Sequence, residues 1–203
     1  MVELMRSLIA ILKHWRPPGR LRHCAAAVLA AATAPSAAFA QTSAADSPDA
    51  LHAAFLFNFA KFTTWPSVSD LDTSIKFCVQ EDTIEPSIFA GWGKKRIQNR
   101  PVRVAFFDHA GDAQVANCSI MFVRRAPTDM SIQELTRAAA AHSTLLVSDL
   151  PGFSKDGGHI ELFLVNRRLR FKVNLGELSR ADLSLGAGVL NLAEIVATEG
   201  QRR

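Results

Sequence analysis

Between Ser47 and Pro66 the chain is apolar on more than one side. Leu51, Phe55, Phe59 and Phe62 recur at spacings of four, four and three, and Leu56 and Phe57 widen the stripe until only His52, Asn58 and Lys61 interrupt it. Ser47-Pro48 supplies an N-cap followed by proline at the first helical position. Pro66 drives Trp65 out of helical backbone and ends the element. The pattern predicts a largely buried helix. Its core stretch, AAFLFNFAKFTTWP, carries five aromatic rings in fourteen positions, yet it is too short to span a bilayer of about 30 Å. Its rings are not interleaved with the Arg and Lys that a nucleic-acid stacking platform uses. A buried spine is the favoured reading and an exposed partner or ligand surface the competing one.

Beyond Pro66 the period shortens. Ile75, Phe77 and Val79 alternate with Lys76, Cys78 and Gln80, and Val102, Val104 and Phe106 alternate with Arg103 and Ala105, which predicts two half-buried strands. A short helix is expected between them, from Glu85 to Trp92. The continuous apolar runs Ser119 to Val123 and Thr144 to Ser148 read as central strands covered on both faces. Ser131 and Glu134 form a capping box for a helix carrying Ile132, Leu135 and Ala139. HIELFLV and RLRFKVNL flank Asn166-Arg167 as a hairpin, with Leu169, Phe171, Val173 and Leu175 expected to face the core. Two short helices, near Leu175 to Arg180 and Leu185 to Thr198, close the chain. The sum is a single-domain α/β sandwich: a mixed β-sheet flanked by helices in Rossmann-like layers, finished by a C-terminal β-hairpin and helices.

The N-terminus alters the charge balance. Lys13, Arg16, Arg20 and Arg22 precede an apolar run from Cys24 to Ala34, then Pro35 and the small-residue pattern Ala38-Phe39-Ala40. This reads as a secretory signal peptide, residues 1–40, cleaved before Gln41. Residues 41–48 read as a short linker, 49–198 as the α/β domain and 199–203 as a tail. The signal holds five of the 23 basic and one of the 19 acidic residues, so the mature chain keeps 23 − 5 = 18 basic against 19 − 1 = 18 acidic. A neutral balance gives no electrostatic footprint for nucleic acid, and export places the product in the periplasm.

Sites of chemistry are scarce. Of the histidines beyond residue 40, at 52, 109, 142 and 159, no pair has a metal-ligand spacing, and neither a nucleophile elbow nor a phosphate loop is present. No catalytic residue, metal or cofactor is expected. His159 and Glu161 would share a strand face, either as an ordinary exposed pair or as a two-residue site. Cys78 and Cys118 are the cysteines that remain in an oxidising compartment, and an even count there favours a disulfide. Closing that loop would stabilise the fold by roughly 4 kcal/mol. The other reading is a pair of buried thiols. Parallel neighbouring strands would put Cys78 near one end and Cys118 near the other, so a bond asks for stagger or antiparallel pairing. Gly157-Gly158 follows DLPGFSKD, a turn that either serves the backbone alone or presents Phe153 to a partner as an exposed aromatic anchor.

Taken in order, AAFLFNFAKFTTWP, IKFCV, NCSIMFV, LLVSDLPGFSKDGGHIELFLVNRRLRFKVNL and LSLGAGVLNLAEIV resemble the YfiR-like family of periplasmic proteins, from about Ala50 to Val196. The resemblance implies a compact α/β sandwich with a regulatory role and no chemistry of its own. Such proteins bind the periplasmic sensor domain of an inner-membrane diguanylate cyclase and repress it, lowering cyclic di-GMP and biofilm formation, and an outer-membrane lipoprotein can sequester the repressor. The alternative is a small-ligand-sensing module acting through the periplasmic domain of a sensor histidine kinase. A homodimer is compatible with either. The residues expected to bind the partner are Phe153 on the loop, Glu161 and Arg170 on outward hairpin positions, and Asn174 at the strand end. Two departures stand out: the second cysteine pair of some relatives is missing, and Gly186-Ala187 replaces their serine pair.

Overall fold

The computed structural model describes residues 47–66 and 74–197, all within the compact unit Gln41–Arg203. The expected signal peptide, the linker through residue 46 and the tail 199–203 lie outside the described residues.

The first helix, α1 (Pro48–Phe62), starts where the sequence places it: the Ser47 hydroxyl accepts the Ala50 N–H at 3.0 Å and Pro48 occupies the first turn. It ends at Phe62, ahead of the expected Trp65-Pro66 stop, because the Thr63 hydroxyl donates to the Phe59 carbonyl and the chain turns into β1 (Thr63–Thr64). The buried face is His52, Ala53, Leu56, Phe59 and Ala60, whereas Leu51 and Phe62 are exposed. The expected stripe through Leu51 and Phe62 is therefore rotated by about one residue, roughly 100°. Where that face lands is decided by the rings it meets: Phe59 packs against Phe171 at 5.0 Å and Phe57 against Trp92 at 5.1 Å, both edge-on. The spine reading holds.

The sheet contains β2 (Ile75–Gln80), β3 (Arg96–Ile97), β4 (Arg100–Phe107), β5 (Ile120–Val123), β6 (Leu145–Ser148), β7 (Ile160–Val165), β8 (Arg168–Asn174) and β10 (Glu194–Val196). In space the order is β10-β8-β7-β6-β5-β2-β4-β3. Strands β4, β2, β5, β6 and β7 are mutually parallel neighbours, β8 runs antiparallel to β7, and β10 runs parallel to β8. From β2 the chain steps out to β4, returns past β2 to β5 and continues to β6 and β7. That is the doubly wound arrangement, and the expected mixed sheet with helical layers is the observed fold. β2 is central and nearly wholly buried, not half-buried, because its alternate residues face two separate layers. Phe77 and Val79 join α1 in one apolar layer, and Cys78 joins Val115 and Leu135 in the other, beneath α2 (Asp112–Ala116) and α3 (Ile132–His142). The capping box of Ser131 and Glu134 is formed on both sides.

Cys78 and Cys118 are disulfide-bonded, with Cα atoms 5.8 Å apart and a sequence separation of 40. β2 and β5 are parallel, Phe77 opposite Ile120. The stagger comes from Cys118 itself, which lies ahead of β5 in the turn that leaves α2.

Three expected elements differ. Glu85 to Trp92 forms two short 3-10 turns, Pro86–Phe89 and Trp92–Lys94, separated by Gly91 at φ 82°. Leu175 does not continue the core alternation; it is exposed as the first residue of α4 (Leu175–Arg180), because Asn174 ends the strand by accepting the Glu177 N–H at 3.2 Å. The final segment is not one helix. It comprises β9 (Ser184–Leu185), paired with β1, a single turn α5 (Ala187–Leu190), and β10 on the sheet edge. Gly186 and Gly188 weaken helix, and Ile195 and Val196 favour strand. Thr198 lies outside the described residues.

Candidate interaction surface

Open α/β sheets take ligands at the carboxyl ends of their parallel strands, beside the point where strand order reverses. Here the ends of β2, β5 and β6 are tied together by the protein's own side chains, beside a cleft of about 290 Å³ lined by Gln80, Asp108, His109 and Arg125. The Gln80 amide oxygen accepts the backbone N–H groups of Arg124 and Arg125 at 2.9 and 2.7 Å. The Arg124 guanidinium donates to Asp149 from Nε and to Asp49 from Nη1, both at 2.8 Å, and also to the Thr83 carbonyl. These bonds tie the start of α1 to the ends of β2, β5 and β6. His52 lies 3.7 Å from the same Asp149 carboxylate, and burial, aided by Arg124, holds its pKa below the ordinary imidazole value. Among the described residues no cluster of three His, Cys, Asp or Glu is placed to hold a metal ion.

A second buried polar group fixes the crossover from β6 to β7. Glu161 accepts from the Ser154 N–H and hydroxyl at 3.1 and 2.7 Å and from Lys172 Nζ at 2.8 Å. Burial pushes its carboxyl up, but the Lys172 and Ser154 hydrogen bonds outweigh it, and the pKa is lowered overall. Asn174 Nδ2 donates to the Ser154 carbonyl at 2.8 Å. His159 accepts the Leu146 N–H at Nδ1, 3.0 Å, which leaves the proton on Nε2, and burial lowers its pKa to about 3.

This geometry corrects the expected exposure of three of the four residues assigned to the partner. Phe153 is 1% exposed: its ring packs against Gly158, where any Cβ would overlap it, and belongs to the layer beneath α3. The Gly-Gly pair is there to admit that ring and, at Gly157 (φ 110°), to allow a left-handed turn. Glu161 and Asn174 are likewise buried, each committed to Ser154, because the hairpin face expected to point outward is covered by the 150–158 loop. His159 and Glu161 are not an exposed pair either. Arg170 alone of the four is on the surface, 4.0 Å from Glu194.

Charge linkage at His159 gives a testable acid response. The folded state holds the imidazole neutral down to about pH 3, whereas the unfolded chain takes up the proton below about 6.5. Its contribution to stability is complete above pH 6.5 and is lost progressively as pH falls towards 3. His52 acts in the same direction. Urea midpoints between pH 7 and 4.5 should fall for the native sequence and fall less steeply for His159→Gln; identical slopes would contradict the buried neutral imidazole.

Part of the accessible apolar surface lies on the β7–β8 hairpin and the segment through β10, besides Leu51, Phe62 and Leu175 elsewhere. Leu164 and Leu192 are 65% and 69% exposed, Ile195 is 51% exposed, and Val165 is exposed beside them. A groove of about 780 Å³ runs here, bordered by Phe55, Val165, Leu169, Phe171 and Leu192, with Arg168 and Arg170 on its rim. Sequence reasoning missed Leu164, Leu192 and Ile195. Leu164 was detectable, since the run Leu162-Phe163-Leu164-Val165 stays apolar on both alternations at the end of a hairpin, where one face meets water.

The described residues form a doubly wound α/β domain with an apolar groove on its sheet edge, bordered by Arg168 and Arg170. The chain belongs to the YfiR/HmsC-like family, whose model matches residues 49–194. A comparison with curated proteins found no match. Among solved structures it is similar to a conserved domain protein from Vibrio cholerae O1 biovar El Tor strain N16961, at 10% identity and a TM-score of 0.49 over 73% of this chain. The similarity covers 60% of that protein's chain. Among the described residues no helix is long and apolar enough to cross a membrane.

Proposed function

We propose that this protein is a non-enzymatic periplasmic regulator that binds the periplasmic sensor domain of an inner-membrane diguanylate cyclase and represses it. Membership of the YfiR/HmsC-like family over nearly the whole domain carries the reading. Two features support it. The charged groups bordering a pocket of about 450 Å³ near the strand ends, among them Arg124, Asp149, Glu161 and Lys172, already pair with one another or with Asp49, which leaves few polar groups to orient a small ligand. Exposed Val165 and Leu192 instead line one groove with Leu169 and Phe171, an apolar surface of the kind a protein partner covers. Export follows from the N-terminal pattern that ends at Ala40.

Deletion of the gene should raise cellular cyclic di-GMP and surface attachment, measured by mass spectrometry of nucleotide extracts and by adhesion. Complementation with the full-length gene should restore both. Unchanged cyclic di-GMP with altered output of a sensor kinase would replace the cyclase by the kinase, and no change in either would remove the regulatory reading.

A further inference from the structure

The outer edge of β8 is only half covered. β10 pairs with Lys172, Val173 and Asn174 and no further. The residues that precede it, Asn191 to Ala193, turn away: their N–H groups bond back to Ala187, Val189 and Leu190. On the other side β8 is paired with β7 from Arg168 onward. Asn174 donates to the His159 carbonyl, so in an antiparallel ladder the even-numbered residues of β8 turn their peptide groups to β7 and the odd-numbered ones turn away. The N–H groups of Leu169 and Phe171 and the carbonyl of Leu169 therefore face the groove, and no described strand meets them. An open strand edge of this kind is a template for another strand.

The side chains state what that strand carries. Leu169 and Phe171 lie on the α1 side of the sheet with Phe55, so one alternation of the added strand meets apolar surface. Arg168 and Arg170 project from the opposite side of β8. Arg168 has no ion pair among the described residues, and Arg170 has one long pair, to Glu194 at 4.0 Å, so the other alternation meets an excess of positive charge. We propose that the edge Arg168–Phe171 is a strand-addition site for an extended partner segment alternating apolar with acidic residues. This deepens, and rests on, the reading of the chain as a partner-binding regulator. A second copy docked edge to edge would bring Arg168 and Arg170 against their own counterparts. Residues 199–203, with Arg202-Arg203, carry the wrong net charge.

The test uses a fluorescein-labelled octapeptide alternating valine with glutamate, titrated by anisotropy into the purified protein. Saturable binding is expected, weakened at least tenfold by the double substitution Arg168→Glu with Arg170→Glu. Both positions are exposed, and an unchanged Tm would show that the variant folds. A copy of the peptide methylated on every backbone nitrogen keeps its side chains and should not bind, and amide exchange at Leu169 and Phe171 should slow only with the unmethylated peptide. Equal binding of the methylated copy, an unchanged affinity for the double variant, or no binding at all would each overturn the site. A dimer in sedimentation that the peptide dissociates would also overturn it, by making the second copy the occupant. Failure here with the cyclic di-GMP response of the deletion intact removes this site and leaves the regulatory reading. Peptide binding without that response does the reverse.

Discussion

Phe153→Ala is expected to destabilise the fold by about 3–5 kcal/mol, the range for removing a buried ring when its surroundings close only partly. The ring is 1% exposed and packs with Met121, Leu146 and Leu135 in the layer that α3 covers. It also occupies the space left by the missing side chain of Gly158, so its loss opens a cavity on two sides. Because this ring anchors the 150–158 loop, the Ser154 bonds to Glu161 and Asn174 weaken with it. Urea denaturation should show a lower midpoint with a similar slope, and Gly158→Ala should reproduce the loss from the other side of the contact. Native stability with impaired partner binding would mean that the ring is a surface anchor after all.

Replacing Cys78 and Cys118 together by alanine should cost about 4 kcal/mol, the chain-entropy value for opening a loop of this length. The bond joins β2 to the turn after α2 and restricts the unfolded chain more than it adds contacts to the folded one. Both cysteines lie in the apolar layer with Val115 and Leu135, so alanine leaves no unpaired polar group. Serine would add one. Reductant should move the denaturation midpoint of the native protein to that of the double variant and leave the variant unchanged. A midpoint indifferent to reductant would mean that the bond contributes nothing to the fold.

The sequence by itself determined what depends on neighbours along the chain. Ser47-Pro48 and the Ser131–Glu134 box set helix starts because their hydrogen bonds span three residues. Asn166-Arg167 makes the hairpin turn because two consecutive residues adopt positive φ, 49° and 63°. The apolar runs at Ile120 and Leu145 marked central strands, and the cysteine count implied their bond. Tertiary structure alone decided which side of each element meets another. α1 turned by one position because Phe171 and Trp92, more than 25 residues away in sequence, present the rings it packs against. Glu161 and Asn174 looked outward by alternation, yet Ser154 arrives over them on a loop that Phe153 pins down. The same spacing in an uncovered hairpin would have left them in water. The open edge at Leu169 was equally unreadable, because it exists only where the chain before β10 turns back to α5 instead of pairing with β8. Period and capping are set by local geometry; burial and exposure belong to whatever the rest of the chain brings alongside.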